Sequence, residues 1–173
     1  TTGSTGVAVT ATGGPDRGGR GKRRHGRSFD HAVTSPRQGA RRTGELVEPG
    51  TAVQIDADLT EWDYGEYEGR LTADIQTSRA GWNLYRDGCP HGESPAQVLA
   101  RADRLLARLR GLKGNVALFS HGQFSAVLAA RWIGLPLEEA EHFPLGTASL
   151  AVLGFADHHP DIPVIEQWNG TSV

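Results

Sequence analysis

Methionine is absent from all 173 residues, and cysteine occurs once, at Cys89. Thr1 is therefore not an initiator, and coding sequence is expected upstream of it. One cysteine excludes an intramolecular disulfide and a cysteine-based zinc site, and makes a reducing, cytoplasmic setting the default. No apolar run reaches the roughly 18 residues that a membrane span needs, and no signal peptide opens the chain. An excess of one charge is lacking too. The formal net charge is -2, which argues against bulk affinity for nucleic acid or membrane. With 38% hydrophobic residues, the chain fits one globular domain with its own core.

What is present is unevenly placed. Arg17, Arg20, Lys22, Arg23, Arg24 and Arg27 crowd a Gly-rich stretch whose one apolar residue is Pro15. With nothing to bury, residues 1–27 are expected to form an irregular Gly/Arg-rich segment, with Val7 to Thr10 at best a short extended piece. A domain over residues 28–173 follows. The basic arm of residues 17–27 has the charge to attract RNA, but it lacks interleaved aromatics, so no nucleic-acid partner is expected.

Phe29 to Val33 reads as a strand, and Thr34-Ser35-Pro36 opens a helix to about Val47. Ala52 to Ile55 reads as a second strand, and Glu61 to Gly69 as a Trp/Tyr/Gly-rich loop. Ser94-Pro95-Ala96-Gln97 is a capping box with proline at the first helical position. From it a helix runs to Gly111, with Val98, Leu99, Ala102, Leu105, Leu106 and Leu109 on one face. Arg101, Arg104 and Arg108 are assigned to its solvated face. Ala148 to Phe155 and Pro163 to Trp168 read as an antiparallel hairpin around Ala156 to Asp161. The pattern indicates a three-layer α/β/α sandwich with a mostly parallel sheet and a C-terminal antiparallel hairpin.

The most informative stretch is Val116 to Gly134. Four apolar residues predict a buried strand, Ser120-His121-Gly122 a tight turn, and Phe124 to Ile133 a helix stopped by Gly134 and Pro136. An imidazole at the carboxyl end of a strand, beside a helix N-terminus, stands where open α/β sheets receive anions. The bland alternatives are a core histidine at 121 and a surface acid at Glu61. The strand-turn-helix context favours a site. Cys89, His91, His158, His159 and Asp161 lack recognised ligand spacing, so no metal is expected.

Three ordered segments carry a family resemblance. Phe29 to Thr43, containing Ser35-Pro36-Arg37, resembles the strand-to-helix segment of the histidine phosphatase (phosphoglycerate mutase-like) superfamily. Leu59 to Gly69 is similar to that family's loop bearing an acidic proton donor, and Phe119-Ser120-His121-Gly122 resembles its second catalytic histidine. Glu61 to Gly69 and Trp82 to Ser94 are closest in look to the sugar-bisphosphatase-like branch. The resemblance implies phosphomonoester hydrolysis through a phosphohistidine intermediate, on small phosphorylated metabolites such as sugar phosphates, without metal or cofactor. It makes Glu61 the proton donor and His121 an electrophilic phosphate binder, helped by the Gly122 and Gln123 backbone N–H groups. A phosphoglycerate mutase-type phosphotransferase is a further alternative. Neither substrate nor oligomeric state is readable. Specificity is expected to depend on cap and loop shape around Trp62, Trp82 and His91.

The sequence departs from that pattern twice. The family's nucleophile lies in Arg-His-Gly after an apolar strand; here Arg24-His25-Gly26 follows Gly-Arg-Gly-Lys-Arg, only a few residues before Ser35. The first strand and its nucleophile are therefore expected to be missing or disrupted, lying upstream of Thr1, with His25 as the alternative. The position of the family's phosphate-binding arginine is Gly39, leaving Arg37 or Arg41 as replacements. An impaired chain that binds phosphorylated ligands without turnover is thus the competing reading.

Overall fold

The apolar run Val116 to Phe119 lies in the strand Gly114–His121, and its residues are buried on both faces. Val116 and Leu118 join the larger core cluster, while Ala117 and Phe119 face the smaller one. A strand enclosed on both sides reads as continuous apolar sequence because neither face meets water. The computed structural model describes residues 5–12, 29–47 and 52–171. Its strands are β1 Thr5–Thr12, β2 His31–Thr34, β3 Val53–Ile55, β4 Gly114–His121, β5 Ser149–Ala156 and β6 His159–Thr171. They form one sheet in the order β3-β2-β4-β1-β5-β6.

The pairs β3–β2, β2–β4 and β1–β5 are parallel, and β5–β6 is the expected antiparallel hairpin. Helices cover both faces. α1 (Gln38–Val47) packs Ala40 into the smaller cluster with Ala117 and Phe119. α4 (Pro95–Arg110) and α5 (Gly122–Trp132) build the larger cluster on the opposite face. Two short helices, α2 (Thr72–Ser78) and α3 (Leu84–Asp87), connect these parts. The three-layer sandwich read from the sequence is the fold observed.

Local signals set the boundaries. The Ser94 capping box is formed in both directions, with Pro95 at the start of α4 and Gly111 as its C-cap. Gly134, at φ +81°, follows α5 in the left-handed conformation that ends helices. Two readings change. There is no separate turn at residues 120–122, because β4 runs through His121 and α5 begins at Gly122. The hairpin turn is also shorter, with Asp157 and His158 between β5 and β6.

The N-terminal expectation changes more. Residues 5–12, assigned to an irregular segment, form an eight-residue strand in the middle of the sheet. β1 runs antiparallel to β4, bringing Thr5 opposite His121, and contains no histidine. Val7, Val9, Thr10 and Thr12 are β-branched, which suits a strand, and the facing edges of β4 and β5 supply pairing for its backbone. The basic arm and His25 lie outside the described residues.

Candidate active site

The strand-to-helix junction at His121 organises the site. His121 occupies the N-cap position of α5 but its side chain makes no cap hydrogen bond. A helix start leaves N–H groups without intrahelical acceptors. Here Glu61 supplies the acceptor: Oε1 receives the Phe124 N–H at 2.9 Å, and Oε2 the Gln123 N–H at 3.2 Å. Oε1 also accepts from the Trp62 N–H at 2.9 Å. A carboxyl 62 residues upstream thus caps α5 in place of a local Ser or Asp. The Gln123 N–H, expected to serve phosphate, here donates to Glu61.

Two opposing influences act on Glu61. Burial pushes its carboxyl above the usual carboxylate range, while the three backbone donors and the charge of Arg101 pull it down. Burial wins, which favours the protonated acid. Oε1 carries two hydrogen bonds and Oε2 one longer one, so Oε2 has room for the proton.

Glu61 lines a cleft of about 390 Å³ together with Arg37, Ala57, Thr60, Asp63, Glu93 and Arg101. Arg37 is exposed, and among the described residues its guanidinium has no hydrogen bond or ion pair. Its backbone N–H donates to Ser35 Oγ at 3.3 Å. Of the two candidate arginines, Arg37 is the one bordering the cleft; Arg41 and Gly39 lie on α1 away from its lining.

His121 is 3% exposed and lies under the Ser35–Arg37 turn, its Nε2 2.8 Å from the fully buried Ser35 hydroxyl. It does not line the cleft. Glu61 nevertheless reaches the residues immediately after His121, so the two candidates converge on one end of β4 and α5. Ser120 reinforces the junction by donating from its hydroxyl to the Leu59 carbonyl at 2.8 Å.

Arg101 overturns its sequence assignment. It is 8% exposed and lies 4.1 Å over the Phe124 ring. Its position, three residues after Val98 and four before Leu105, is in phase with the apolar face of α4. That phase was the signal available in the sequence. Arg104 and Arg108 do sit at the surface, paired with Asp58 and Asp56.

Trp62 and Trp82 are both buried in the core. Trp62 is fully buried, donates its indole N–H to the Glu93 carbonyl, and meets Tyr85 edge-on. Trp82 is buried and donates to the Gly88 carbonyl. His91 is exposed and pairs with Glu66 at 3.2 Å. Tyr85, missed in the sequence reading, donates its hydroxyl to the Gln123 side-chain oxygen.

Known proteins resemble this chain in sequence and fold. The model of the histidine phosphatase superfamily (branch 1) matches residues 1–170. An acid phosphatase of Mycobacterium tuberculosis is 42% identical over 126 residues, covering 71% of this chain and 61% of that protein. The match to this relative thus spans under two thirds of its length. Sedoheptulose 1,7-bisphosphatase of Saccharomyces cerevisiae is 30% identical over 196 residues, covering 80% of this chain and 72% of that protein. The solved structure of the Rv3214 open reading frame of M. tuberculosis superposes with a TM-score of 0.76 at 29% identity, covering 98% of this chain and 99% of that one. A match over nearly the whole chain, on a fold that brings Glu61 to the His121 junction, places this chain in the histidine phosphatase superfamily.

Proposed function

We propose that the chain is a phosphomonoesterase acting on small phosphorylated metabolites, with sugar phosphates as the preferred class. The observation that carries this reading is Glu61: a carboxyl that lines one cleft with the exposed Arg37 and whose pKa burial pushes upward. Hydrolysis of a phosphomonoester needs a proton for the departing oxygen and positive donors for the phosphoryl oxygens. Glu61 Oε2 supplies the first. Arg37 supplies the second as a two-pronged donor. His121, beneath the Arg37 turn, adds positive charge when protonated. The names of the two relatives, an acid phosphatase and a sugar bisphosphatase, support the class of reaction and of substrate.

Transfer through a phosphohistidine requires a nucleophilic imidazole. No histidine lines the cleft among the described residues, which favours a second reading in which the chain binds phosphorylated ligands without turning them over. The experiment is phosphate release from p-nitrophenyl phosphate and a panel of sugar mono- and bisphosphates, with the Glu61→Gln, His121→Ala and His25→Ala variants. The proposal expects turnover that falls in the first two variants. Binding of inorganic phosphate without turnover of any ester establishes the second reading. Turnover insensitive to both Glu61→Gln and His121→Ala removes both assigned roles, and His25→Ala decides whether that imidazole is the nucleophile.

A further inference from the structure

The two arginines of the cleft differ in their available donors. A guanidinium has five N–H groups. On Arg101, Nε donates to Glu93 Oε1 at 2.9 Å and Nη2 to Glu93 Oε2 at 2.7 Å, a fork-to-fork pair. Nη1 donates to the backbone carbonyls of Asp58 at 2.8 Å and Thr60 at 2.6 Å. Four donors are engaged within the protein, and one face of the group is covered by Phe124. Arg101 lines the cleft without being equipped to clamp a phosphate.

What these bonds hold is the chain on either side of Glu61. Arg101 fixes residues 58 and 60 ahead of it. Glu93, the partner of Arg101, fixes the residues behind it: its carboxylate accepts from the Asp63 N–H at 3.0 Å, and its carbonyl accepts the Trp62 indole N–H at 3.0 Å. The Glu93 N–H returns a bond to the Asp63 carbonyl at 2.9 Å. One ion pair therefore pins residues 58, 60, 62 and 63 around the carboxyl at 61. A general acid must stand within hydrogen-bond reach of the leaving oxygen, and its own side chain cannot secure that if the backbone drifts.

We infer that Arg101 and Glu93 are positioning residues for the proton donor Glu61, acting on the reaction only through the placement of that carboxyl. The inference rests on the functional reading above, and it separates these residues from Arg37, which meets the substrate directly. The planar fork matters as much as the charge. Lysine at 101 keeps the charge but offers three donors from one point, too few and wrongly directed to bridge a carboxylate and two carbonyls. The groups facing Glu61 are Arg37 before α1, Asp63 and Tyr64 in its own loop, Tyr85 on α3, Glu93 before α4, and Arg101 on α4. Arg101→Lys keeps the charges of this set, so a change in Glu61 behaviour in that variant reports geometry and hydration.

The test uses two esters that differ in their need for a proton. An alkyl phosphate such as glycerol 3-phosphate has a poor leaving group and depends on the general acid; p-nitrophenyl phosphate depends on it far less. Arg101→Lys is expected to lower kcat on the alkyl ester about tenfold to a hundredfold, with KM nearly constant and a smaller loss on the aryl ester. Glu93→Gln is expected to show the same pattern, which guards against one variant failing to fold. In a Glu61→Gln background Arg101→Lys is expected to cost nothing further, because the group it positions is gone. Equal losses on both esters, or losses that add to those of Glu61→Gln, overturn the inference while leaving the functional reading intact. If Glu61→Gln itself fails to discriminate between the esters, the functional reading falls. Should the chain turn over neither ester, carbon-13 NMR titration of the Glu61 carboxyl decides. Its titration is expected above the usual range in the native chain and lowered toward that range in Arg101→Lys, as water enters the loosened loop. A titration identical in both overturns the inference.

Discussion

The two walls of the cleft are built on different physical terms. One wall, the segment around Glu61, is tied to the loop before α4 and to α4 itself by backbone and side-chain hydrogen bonds. These include the Glu93 N–H to the Asp63 carbonyl, the Asp63 N–H to the Glu93 carboxylate, the Glu66 N–H to the Pro90 carbonyl, and the four donors of Arg101. The opposite wall is the short Ser35-Pro36-Arg37 turn between β2 and α1, tied inward by Ser35 and ending in an exposed guanidinium. A proton donor works only if its carboxyl stays dry and aimed, which a single side chain cannot enforce. A phosphate-binding arginine needs unengaged donors at the mouth. The difference separates a group that must be held from one that must be left available.

Arg37→Ala is the strongest probe of the open wall. Removing a charge-assisted two-pronged contact is expected to lower kcat/KM by about ten- to a hundredfold, visible in steady-state kinetics on any phosphate ester, with little change in melting temperature. A loss of stability on the scale of the activity loss would mean that both walls are structural and would end the contrast.

Gly65→Ala attacks the held wall. Gly65 has φ +50°, and a Cβ there would come 2.2 Å from the Pro90 carbonyl oxygen. Backbone cannot yield as a side chain would, so the loops must separate. Destabilisation of about 1–3 kcal/mol is expected, read from the denaturant midpoint in urea. An unchanged midpoint would show that the two loops are not locked together.

The cost of holding Glu61 has a pH signature. Its folded-state pKa is raised, so the folded chain binds that proton more tightly than the unfolded chain does. Stability from this source is intact below the unfolded value and lost as pH rises through the folded one. Glu61→Gln removes the titration, and its melting temperature is expected to exceed that of the native chain by about 2–4 °C at pH 8 but not at pH 4. Calorimetry at the two pH values checks this, and an equal difference at both would contradict the burial argument.

The smallest effect belongs to a surface side chain at the edge of the held wall. Asp58 sits below its ordinary pKa because hydrogen bonds from Arg104 and Arg108 outweigh the upward push of burial. Its contribution is present above the unfolded pKa and lost as pH falls through the folded one. Both arginines are about half exposed, so Asp58→Asn is expected to cost no more than about 1 kcal/mol at neutral pH and nothing in strong acid. A larger cost in thermal melts would mean that this network helps to hold the Glu61 loop.

Periodic and local signals were legible. The two-sided burial of Val116 to Phe119, the capping box at Ser94, the Gly134 stop and the hairpin follow from patterns within a few residues, and each is observed. Glu61 and His121 stood out as chemical groups near ends of elements, yet their relation was hidden, because the bonds joining residue 61 to residues 123 and 124 cross 62 and 63 positions. Arg101 misled when grouped with Arg104 and Arg108 as one basic face. Trp62 and Trp82 stood out in the sequence as large aromatics in loop segments, but that they fill the core was visible only in the structure.

By itself the chain of residues determined which segments pair their backbones internally, which faces turn inward, and which side chains carry usable protons and charge. These depend on neighbours three, four or two positions away. The tertiary structure alone decided that one acid would cap a distant helix and be buried deeply enough for its pKa to rise against those hydrogen bonds, that one arginine would be consumed as scaffold, and that another would face the cleft. Solvation and direction belong to the packed surroundings, and those surroundings exist only after distant segments meet.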